Sequence, residues 1–364
     1  MAIRKIAITT GGGDAPGLNA VIRSVTLAAM RRGWECVGIR SGFDGVLHPE
    51  DFPNGGLIKL DRESVRGIAH TGGTILGTTN RGNPFSYEVE LPDGTKEVQD
   101  ISGRLTDAFE KAELDALIAI GGDGTMGIAH QTSQLGIRVI GVPKTIDNDL
   151  EGTVATFGFD TAVDFATEAI GRLHTTAAAH RRAMICEVMG RHAGWIALHA
   201  GLAGSADVIL IPEIPFDIEK VAEKIESRNS DGRGFSILCV AEGAKPIDGD
   251  ELYIETGGRR KLGGIGEWVA DQLRSRVSNE VRNVVLGHLL RGGSPTARDR
   301  LLSFRFGCAA IRALDSGQNA VMVGLKPPTV NYIPLSDCTK KIKTVPVNCD
   351  TVLTARDVGT CFGD

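Results

Sequence analysis

Short clusters of glycine directly after apolar, β-type runs constrain this chain more than any other feature of its sequence. The run RKIAIT leads into GGGDAPG, and the run ALIAI leads into GGDGT. Glycine accounts for 47 of the 364 residues, nearly twice the usual share of about 7%. Because a residue without a side chain lets the backbone approach another group closely, we expect ligand-binding loops at these strand ends.

Stretches of helical pattern follow the apolar runs along the chain. LNAVIRSVTLAAMRRG, RLTDAFEKAELD and a segment near Arg62–His70 are predicted helices, whereas WECVGIR and RVIGV are predicted strands. The strands are continuous apolar runs rather than alternating ones, which is typical of a parallel sheet covered on both faces. Repeated strand, loop and helix units predict an α/β protein with a doubly wound sheet, whose ligands bind at the carboxyl ends of the strands.

A second series of strands and helices begins near TAVDFATEAIGRLHTTAAAH, and no Pro/Ser-rich linker separates it from the first. The length also exceeds what one hydrophobic core usually supports. We therefore expect two doubly wound α/β lobes, each with a mainly parallel sheet, and an active site in the cleft between them. The predicted lobes are residues 1–158 plus about 290–345, and residues 159–289 plus about 346–364. The polar, glycine-rich residues 248–264 are a predicted surface excursion.

Composition argues against several classes of protein. Lys and Arg number 40 and Asp and Glu 45, a formal net charge of −5, so the chain is a poor general nucleic-acid binder. No apolar run reaches the ~20 residues of a membrane helix, and the start MAIRKIAITTGGG lacks the pattern of a secretory signal. The seven cysteines are scattered and form no C-x-x-C pair, which favours a reducing compartment. We expect a cytoplasmic protein with no membrane or nucleic-acid partner.

The loop Gly11–Gly17 joins a predicted strand to a predicted helix. Backbone amides at a helix N-terminus bind anions, phosphate above all, although a tight strand-to-helix turn would use the same glycines. The loop has neither the G-x-G-x-x-G pattern nor a Walker A lysine, which argues against a Rossmann dehydrogenase.

Acidic residues mark two further loops. In Gly121–Thr125 the carboxylate of Asp123 is a ligand suited to Mg²⁺, or else part of an Asx-type turn. Kinases of several kinds, NAD kinases and lipid kinases included, share its string GGDGT. In Pro143–Asp149 an aspartate near an alcohol and a phosphate could accept the hydroxyl proton, although on composition alone a solvated turn is the simpler interpretation.

Taken together and in order, the motifs of this chain resemble the 6-phosphofructokinase family. They extend from Gly11 to about Arg300 and read GGGDAPGLNAVIR, GGTILGTTNRG, IGGDGT, PKTIDND, EVMGRHAGW, VAEG and GHLLRGGSPTARDR. The resemblance implies a glycolytic homo-oligomer that transfers a phosphoryl group, with Mg²⁺, from ATP or pyrophosphate to the 1-hydroxyl of fructose 6-phosphate. It also implies that the first lobe binds the phosphoryl donor and the second binds fructose 6-phosphate.

The resemblance further implies roles for individual residues. Asp147 matches the catalytic base, and Asp123 matches the carboxylate associated with the metal. Thr145 and Arg191 match groups near the reacting centre. The sugar phosphate would be bound by Asp149, Met189, Gly190, Glu242, His288 and Arg291, and, from a neighbouring subunit of a homodimer or homotetramer, by Arg182 and Arg282. The phosphoryl donor would be bound by Gly12, Gly13, Arg81, Gly122, Gly124 and Thr125.

Two positions bear on the choice of phosphoryl donor. Gly124 leaves open the space where the α-phosphate of a nucleotide sits, which favours ATP. Lys144 matches pyrophosphate-using members, because a lysine can stabilise a phosphate leaving group. The pair resembles a mixed lineage in which ATP-using enzymes carry this lysine. Since an open space is necessary for ATP and the lysine suits both donors, we expect ATP, with pyrophosphate as the alternative.

The sequence departs from the family pattern in places. An inserted residue in GGTILGTTNRGNPF puts Arg81 one place later than in the shorter members. At the effector site of the allosteric bacterial enzymes Arg23 is present, but Leu27 and Asp231 replace basic residues, so we expect no intact allosteric phosphate site of that type. Two alternatives from other classes stay open: an NAD- or lipid-kinase-like enzyme, and an inactive regulatory subunit that binds sugar phosphate.

Overall fold

The computed structural model describes residues 3–91, 94–256 and 259–364. In chain order its strands are β1 (Lys5–Thr10), β2 (Glu35–Ile39), β3 (Leu57–Leu60), β4 (Tyr87–Glu90), β5 (Lys96–Gln99), β6 (Ala116–Gly121), β7 (Arg138–Thr145), β8 (Phe157–Gly158), β9 (Arg182–Val188), β10 (Val208–Leu210), β11 (Ser236–Ala241), β12 (Tyr253–Thr256), β13 (Arg259–Leu262), β14 (Glu280–Val285), β15 (Val321–Lys326) and β16 (Thr329–Pro334). Its helices are α1 (Leu18–Met30), α2 (Asp44–Leu47), α3 (Ser102–Lys111), α4 (Asp123–Gln134), α5 (Phe159–His180), α6 (Trp195–Ala203), α7 (Ile218–Ser230), α8 (Ile265–Arg274), α9 (Ala297–Asp315), α10 (Leu335–Cys338) and α11 (Asp350–Asp357). Within these described ranges, no helix combines the length and the apolar character that a membrane span requires.

The chain divides into two compact units. Described residues of Met1–Thr145, Leu150–Gly158 and Arg291–Lys341 form the first, and residues 146–149, 159–290 and 342–364 form the second. The predicted lobe boundaries differ from these units at two short segments, since residues 146–149 and 342–345 both belong to the second unit.

The first unit is built on one sheet of eight strands. The order along its main path is β16-β15-β7-β6-β1-β2-β3, and β8 pairs with β7. The pairings from β15 through to β2 are parallel, whereas β3 and β16 pair antiparallel to their neighbours at the two edges. β4 and β5 form a separate antiparallel pair.

Helices cover both faces of this sheet because its central strands are apolar on both sides. In β1, Ile6 and Ile8 pack in one core with residues of α1 and α9, whereas Ala7 between them packs in another with residues of α3 and α4. All three side chains are fully buried, and each large apolar side chain buried in this way contributes roughly 1.5–3 kcal/mol. The glycine loops therefore follow strands whose two faces are both packed against helices.

The second unit has a smaller, fully parallel sheet of order β10-β11-β9-β14. On one face Ile185 and Leu238 pack with Val221 of α7 and Val269 of α8. On the other face α6 lies against β11, where a Cβ atom added at Gly201 would come within 3.1 Å of the Cβ of Cys239. The prediction of two doubly wound α/β units with mainly parallel sheets is confirmed.

One predicted helix is wrong. The segment near Arg62–His70 contains only a single 3-10 turn, Ile68–His70. Just before it, Oδ1 of Asp61 accepts hydrogen bonds from the amides of Glu63 and Ser64 at 3.1 and 2.9 Å. An aspartate that bonds the following amides in this way stabilises a turn in competition with a helix.

The predicted surface excursion contains a two-stranded antiparallel hairpin, β12 with β13. Tyr253 and Ile254 of its first strand are exposed. Residues 257 and 258 lie outside the described residues.

Candidate active site

The glycine loop after β1 contacts two cationic side chains of its own unit. The ammonium of Lys144 donates a hydrogen bond to the carbonyl oxygen of Gly13. Nη1 of Arg291 donates to the carbonyl oxygen of Asp14 at 3.1 Å. A Cβ atom added at Gly13 would lie 2.7 Å from Nη1 of Arg291, so the close approach depends on glycine. The structure thus brings together residues predicted for both phosphate-bearing substrates.

The loop that carries Arg81 is hydrogen-bonded to the same glycine loop. The amide of Gly12 donates to the carbonyl oxygen of Thr79 at 3.0 Å, and the hydroxyl of Thr78 donates to the carbonyl oxygen of Gly12 at 2.6 Å. Arg81 follows two residues after Thr79, and its amide donates to the Thr79 hydroxyl at 2.9 Å. Arg81 itself is exposed. Despite the inserted residue, its loop stays joined to the predicted donor-binding glycines.

The third loop of the first unit opens α4. The helix begins at Asp123 with Gly122 as its N-cap, and both Asp123 and Gly124 are exposed. A Cβ atom added at Gly124 would meet no described atom within 4 Å, whereas one added at Gly11 would lie 2.6 Å from the hydroxyl oxygen of Thr125. Thr125 therefore packs against the first glycine loop, while the space beside Gly124 is open.

The end of β7 carries the chain from the first unit into the second. Lys144 and Thr145 are its last residues and are buried, with 3% and 7% of their surface exposed. The carbonyl oxygen of Thr145 accepts a hydrogen bond from the hydroxyl of Thr156 at 2.7 Å. The next residues, 146–149, belong to the second unit.

In the second unit the predicted base lies beside the predicted arginine. Asp147, Asn148 and Asp149 are buried, with exposures of 3%, 4% and 9%. Nε of Arg191 is 3.9 Å from Oδ2 of Asp147, and the arginine side chain is about half exposed. The arrangement presents a buried carboxylate and a guanidinium that solvent and solutes can reach.

Glu242 supports the loop that contains Arg191. Its Oε1 accepts hydrogen bonds from the amides of Gly190 at 3.3 Å and Arg191 at 3.0 Å. Burial raises the pKa of Glu242, and these two hydrogen bonds act in the opposite direction. Met189, at the start of the loop, is buried at 8% exposure. Binding of the sugar by Glu242 stays a prediction, and the structure shows that its Oε1 holds the protein backbone.

The remaining predicted residues of the second unit are nearer its surface. Arg182 on β9 and Arg282 on β14 both form ion pairs with Glu280, and Nε of Arg182 is 2.5 Å from Oε2 of the glutamate. His288 is exposed and lies in a 3-10 turn, Gly287–Arg291. Within one chain, therefore, the two arginines that we expected to serve a neighbouring subunit share one carboxylate.

Sequence reasoning missed two side chains near these loops. Oε1 of Glu213 accepts hydrogen bonds from the amides of Gly194 at 3.0 Å and Val345 at 2.8 Å. Nζ of Lys343 donates to Oδ1 of Asn148 at 3.0 Å. The position of Glu213 just after the apolar strand VILIP is a signal that would have selected it, because carboxylates at strand ends are candidate site residues. No comparable local signal marks Lys343.

Comparison with known proteins extends over nearly the whole chain. The sequence family described as Phosphofructokinase matches residues 5–314. The ATP-dependent 6-phosphofructokinase of Chloroflexus aurantiacus is 53% identical over 361 residues, which cover 99% of this chain and 98% of that protein. The pyrophosphate–fructose 6-phosphate 1-phosphotransferase of Amycolatopsis methanolica is 49% identical over 348 residues, which cover 94% of this chain and 96% of that protein.

A solved structure agrees with the fold. The crystal structure of pyrophosphate-dependent phosphofructokinase from Marinobacter aquaeolei superposes with a TM-score of 0.80 over 98% of this chain and 91% of that chain, at 24% identity. That identity supports a shared fold alone, whereas the family match and the two full-length relatives are similar in sequence as well. The chain belongs to the phosphofructokinase family.

Proposed function

We propose that this protein is an Mg²⁺-dependent 6-phosphofructokinase, which transfers a phosphoryl group from ATP to the 1-hydroxyl of fructose 6-phosphate and yields fructose 1,6-bisphosphate. The observation that carries the proposal is the buried carboxylate of Asp147, 3.9 Å from the guanidinium of Arg191. Phosphoryl transfer to an alcohol uses a base for the hydroxyl proton and a cation for the charge of the transferred group. An inactive regulatory subunit would have no use for such a base.

The loops of the first unit suit the phosphates of the donor. Lys144 and Arg291 bring positive charge to the carbonyl side of the first glycine loop. Loops of glycine at strand ends and helix N-termini bind phosphate through backbone amides, and cations nearby strengthen that binding. In this proposal the donor is bound by Gly12, Gly13, Arg81, Gly122, Gly124 and Thr125.

The choice of ATP over pyrophosphate rests on the open space beside Gly124. No described atom lies within 4 Å of a Cβ built there, so a nucleotide phosphate would have room. Lys144 bonds the carbonyl oxygen of Gly13, a support that either donor could use. Relatives named for each donor are similar to this chain to almost the same extent, 53% and 49%. The donor is therefore a property of the site rather than of overall similarity.

Asp123 fits a magnesium site in which the donor supplies most of the ligands. Mg²⁺ is commonly held by one or two carboxylates, water and phosphate oxygens rather than by a complete protein cage. In keeping with this, the described ranges contain no group of three or more His, Cys, Asp or Glu arranged to hold a metal ion. Asp123 is exposed in the first turn of α4 and would hold the ion, which would neutralise charge on the donor's phosphates.

In the reaction that we propose, Asp147 accepts the proton of the sugar 1-hydroxyl while the oxygen of that hydroxyl bonds to the γ-phosphorus of ATP. The bond from that phosphorus to the ADP oxygen breaks in line, and Asp147 later releases its proton to solvent. Arg191 offsets negative charge on the transferred group, and Thr145 and Asp149 flank the base. Most of the rate would come from positioning and charge neutralisation.

Fructose 6-phosphate is a dianion, and in this proposal it is bound by the loop that contains Arg191 and by side chains outside that loop. Met189, Gly190 and Arg191 form the loop that Glu242 supports. His288, Arg291 and Asp149 would complete the binding of the sugar phosphate, since arginine binds phosphate in a bidentate geometry.

We also propose a cytoplasmic homodimer or homotetramer in which Arg182 and Arg282 contact the sugar phosphate of a neighbouring subunit. Their shared partner in one chain, Glu280, would then be exchanged for that phosphate. Activity measured across a dilution series should fall as the oligomer dissociates, and an active monomer would refute the shared site.

The direct test of the function is the initial rate with fructose 6-phosphate and Mg²⁺, with ATP and pyrophosphate compared as donors. A rate with ATP alone is the expected result. A rate with pyrophosphate alone would mean that Lys144 dominates the choice of donor. Binding of fructose 6-phosphate without turnover from either donor would support the inactive regulatory subunit instead.

A further inference from the structure

The last segment of the second unit contacts the loop that holds the predicted base. The amide of Lys343 donates to the carbonyl oxygen of Asp149 at 2.8 Å. Its ammonium donates to Oδ1 of Asn148 at 3.0 Å. One residue, almost two hundred positions away in sequence, therefore binds both residues that follow Asp147.

Lys343 is itself held in place from the other side. Nε1 of Trp195 donates to the carbonyl oxygen of Lys343 at 2.8 Å, and the lysine Nζ lies 5.6 Å from the centre of the indole ring. Two residues later the amide of Val345 donates to Glu213, which also accepts from the amide of Gly194. We call residues 343–345 the C-terminal strap, because they tie the Asp147 loop to the first turn of α6.

The loop has physical reasons to require such support. Asn148 has a φ of +55°, a left-handed conformation that costs a non-glycine residue about 1–2 kcal/mol, although asparagine tolerates it better than most. The two carboxylates on either side of Asn148 are buried and close in sequence. An ammonium that bonds the Asn148 side chain fixes the orientation of its amide and brings a positive charge to the residue that lies between the two carboxylates in sequence.

We propose that Lys343 is a positioning residue for the catalytic loop. It holds Asn148 and the backbone of Asp149, and through them sets the direction of the Asp147 carboxylate without contacting either substrate. The assignment of a reaction rests on the proposed function, whereas the support of the loop does not. A residue that acts in this way should affect turnover more than binding, because misplacing a reacting group by about 1 Å can cost 10²-fold in rate.

The experiment replaces Lys343 by methionine and by arginine in the full-length protein. Lys343→Met keeps a flexible stem over Trp195 but removes the charge and the donor, and should lower kcat by about 10–100-fold while KM for both substrates changes less than about threefold. Lys343→Arg keeps both properties and should restore kcat to within about fivefold of the parent. Lys340→Met is the matched control, since Lys340 bonds the exposed Asp337, and should leave kcat unchanged.

A second measurement is independent of activity. Hydrogen exchange followed by mass spectrometry should show faster exchange in peptides that cover residues 146–149 in Lys343→Met, with exchange in β9 unchanged. If the protein has no phosphofructokinase activity the proposed function fails, while this measurement still tests the strap. Unchanged exchange, or a kcat within twofold of the parent in a folded Lys343→Met, would overturn the proposal.

Should Lys343→Met fail to fold in thermal melting, Trp195→Phe tests the same strap. That variant replaces the indole by a smaller phenyl ring and so removes the N–H that bonds the carbonyl oxygen of Lys343, while an aromatic ring stays at the position. It should show the same pattern of a lower kcat with a nearly constant KM, at a smaller size. An unchanged kcat in this variant would equally overturn the proposal.

Discussion

The side chains that hold the loops carry opposite charges in the two units. In the first unit, cations hold the carbonyl side of the glycine loop: Lys144 bonds the oxygen of Gly13 and Arg291 bonds that of Asp14. A loop held in this way has positive charge on its carbonyl side. The amides of Gly11 and Gly12 donate to the carbonyl oxygens of Ile120 and Thr79 at 2.9 and 3.0 Å, so a phosphate would be bound through amides further along the loop.

In the second unit, buried or half-buried carboxylates hold the amide side of the loops. Glu242 accepts from the amides of Gly190 and Arg191, and Glu213 accepts from that of Gly194. Glu187 does the same, with hydrogen bonds from the amides of Gly264 and Gly266 at 3.1 and 2.8 Å. Each carboxylate satisfies amides that a helix start or tight turn would otherwise leave for a ligand.

The difference indicates how each unit can bind an anion. Where cations take the carbonyl oxygens, the proposed function has the phosphates of the nucleotide bound by the backbone itself. Where carboxylates take the amides, the proposed function has the sugar phosphate bound by side chains such as Arg191 and His288. Anion binding in the first unit would therefore depend on glycines that have no side chain. Anion binding in the second unit would depend on which side chains are present.

The largest effect that we expect comes from the second unit, where side chains would bind the anion. Asp147→Asn keeps the size of the residue but removes the base, and should lower kcat by about 10²–10⁴-fold, the usual contribution of general-base catalysis. Binding of fructose 6-phosphate, measured by titration calorimetry, should be retained. Asp164→Asn, at an exposed position of α5, is the matched control and should be fully active. Undiminished turnover in Asp147→Asn would remove Asp147 from the mechanism.

The next largest effect comes from the first unit, where the backbone would bind the phosphates of the donor. Gly124→Asp would place a carboxylate in the open space beside the start of α4. Two like charges about 4 Å apart repel by roughly 4 kcal/mol at an effective dielectric of 20, so the rate with ATP should fall by about 10²-fold or more. The rate with pyrophosphate should fall much less, because that donor has no α-phosphate.

A glycine further along the same helix provides the control for this substitution. A Cβ atom added at Gly127 also meets no described atom within 4 Å, so Gly127→Asp tests the cost of an aspartate in α4 away from its first turn. It should leave the ratio of the two donor rates unchanged. An equal loss with both donors in Gly124→Asp would show that the open space does not select the nucleotide.

The sequence predicted much of the framework because local pattern encodes it. Continuous apolar runs such as Ala116–Ile120 predict strands buried on both faces, and glycines after them predict loops at the strand ends. The helix predicted near Arg62–His70 failed for a local reason as well, since the side chain of Asp61 stabilises a turn. There the turn chemistry was present in the sequence, and the helical interpretation overlooked it.

The contacts that complete the site could not be predicted, because tertiary structure sets them. Arg291 bonds Asp14 across 277 positions of the sequence, and Lys343 bonds Asn148 across 195. No periodicity or spacing connects such residues. The motif around Glu242 likewise identified a carboxylate but could not tell whether backbone amides or sugar hydroxyls would occupy a given oxygen.

A smaller effect tests the close approach in the first unit. In Gly13→Ala the new methyl group would lie 2.7 Å from Nη1 of Arg291, and the guanidinium must move. Loss of a charge-assisted hydrogen bond costs about 1.5–3 kcal/mol, so KM for fructose 6-phosphate should rise by about tenfold or somewhat more. The melting temperature should change little, because the displaced group is the end of a flexible side chain.

Gly103→Ala is the control for that substitution. A Cβ atom added at Gly103 in α3 meets no described atom within 4 Å, and alanine is favoured over glycine in a helix by about 1 kcal/mol. This variant should keep its KM and gain slightly in stability. A KM in Gly13→Ala equal to that of the parent would mean that Arg291 does not bind the sugar phosphate from its position at the loop.

The smallest effect concerns whether the carboxylates of the second unit need their charge. Burial raises the pKa of Glu213, and hydrogen bonds from the amides of Val345 and Gly194 offset this only in part. A carboxyl whose folded-state pKa lies above its unfolded value of 4.5 favours the folded state below that pH. The benefit is lost as the pH rises through the folded-state pKa.

Glu213→Gln stays neutral at every pH and keeps an oxygen that can accept from Val345. Measured by calorimetry, its melting temperature should equal that of the parent near pH 4 and exceed it by about 2 °C at pH 8. Glu223→Gln, at an exposed position of α7, should show no such difference. A Glu213→Gln variant that is less stable at pH 8 would mean that the second unit needs the charges on its carboxylates, as the first needs those on Lys144 and Arg291. The two units would then differ only in the sign of the charge that holds their loops.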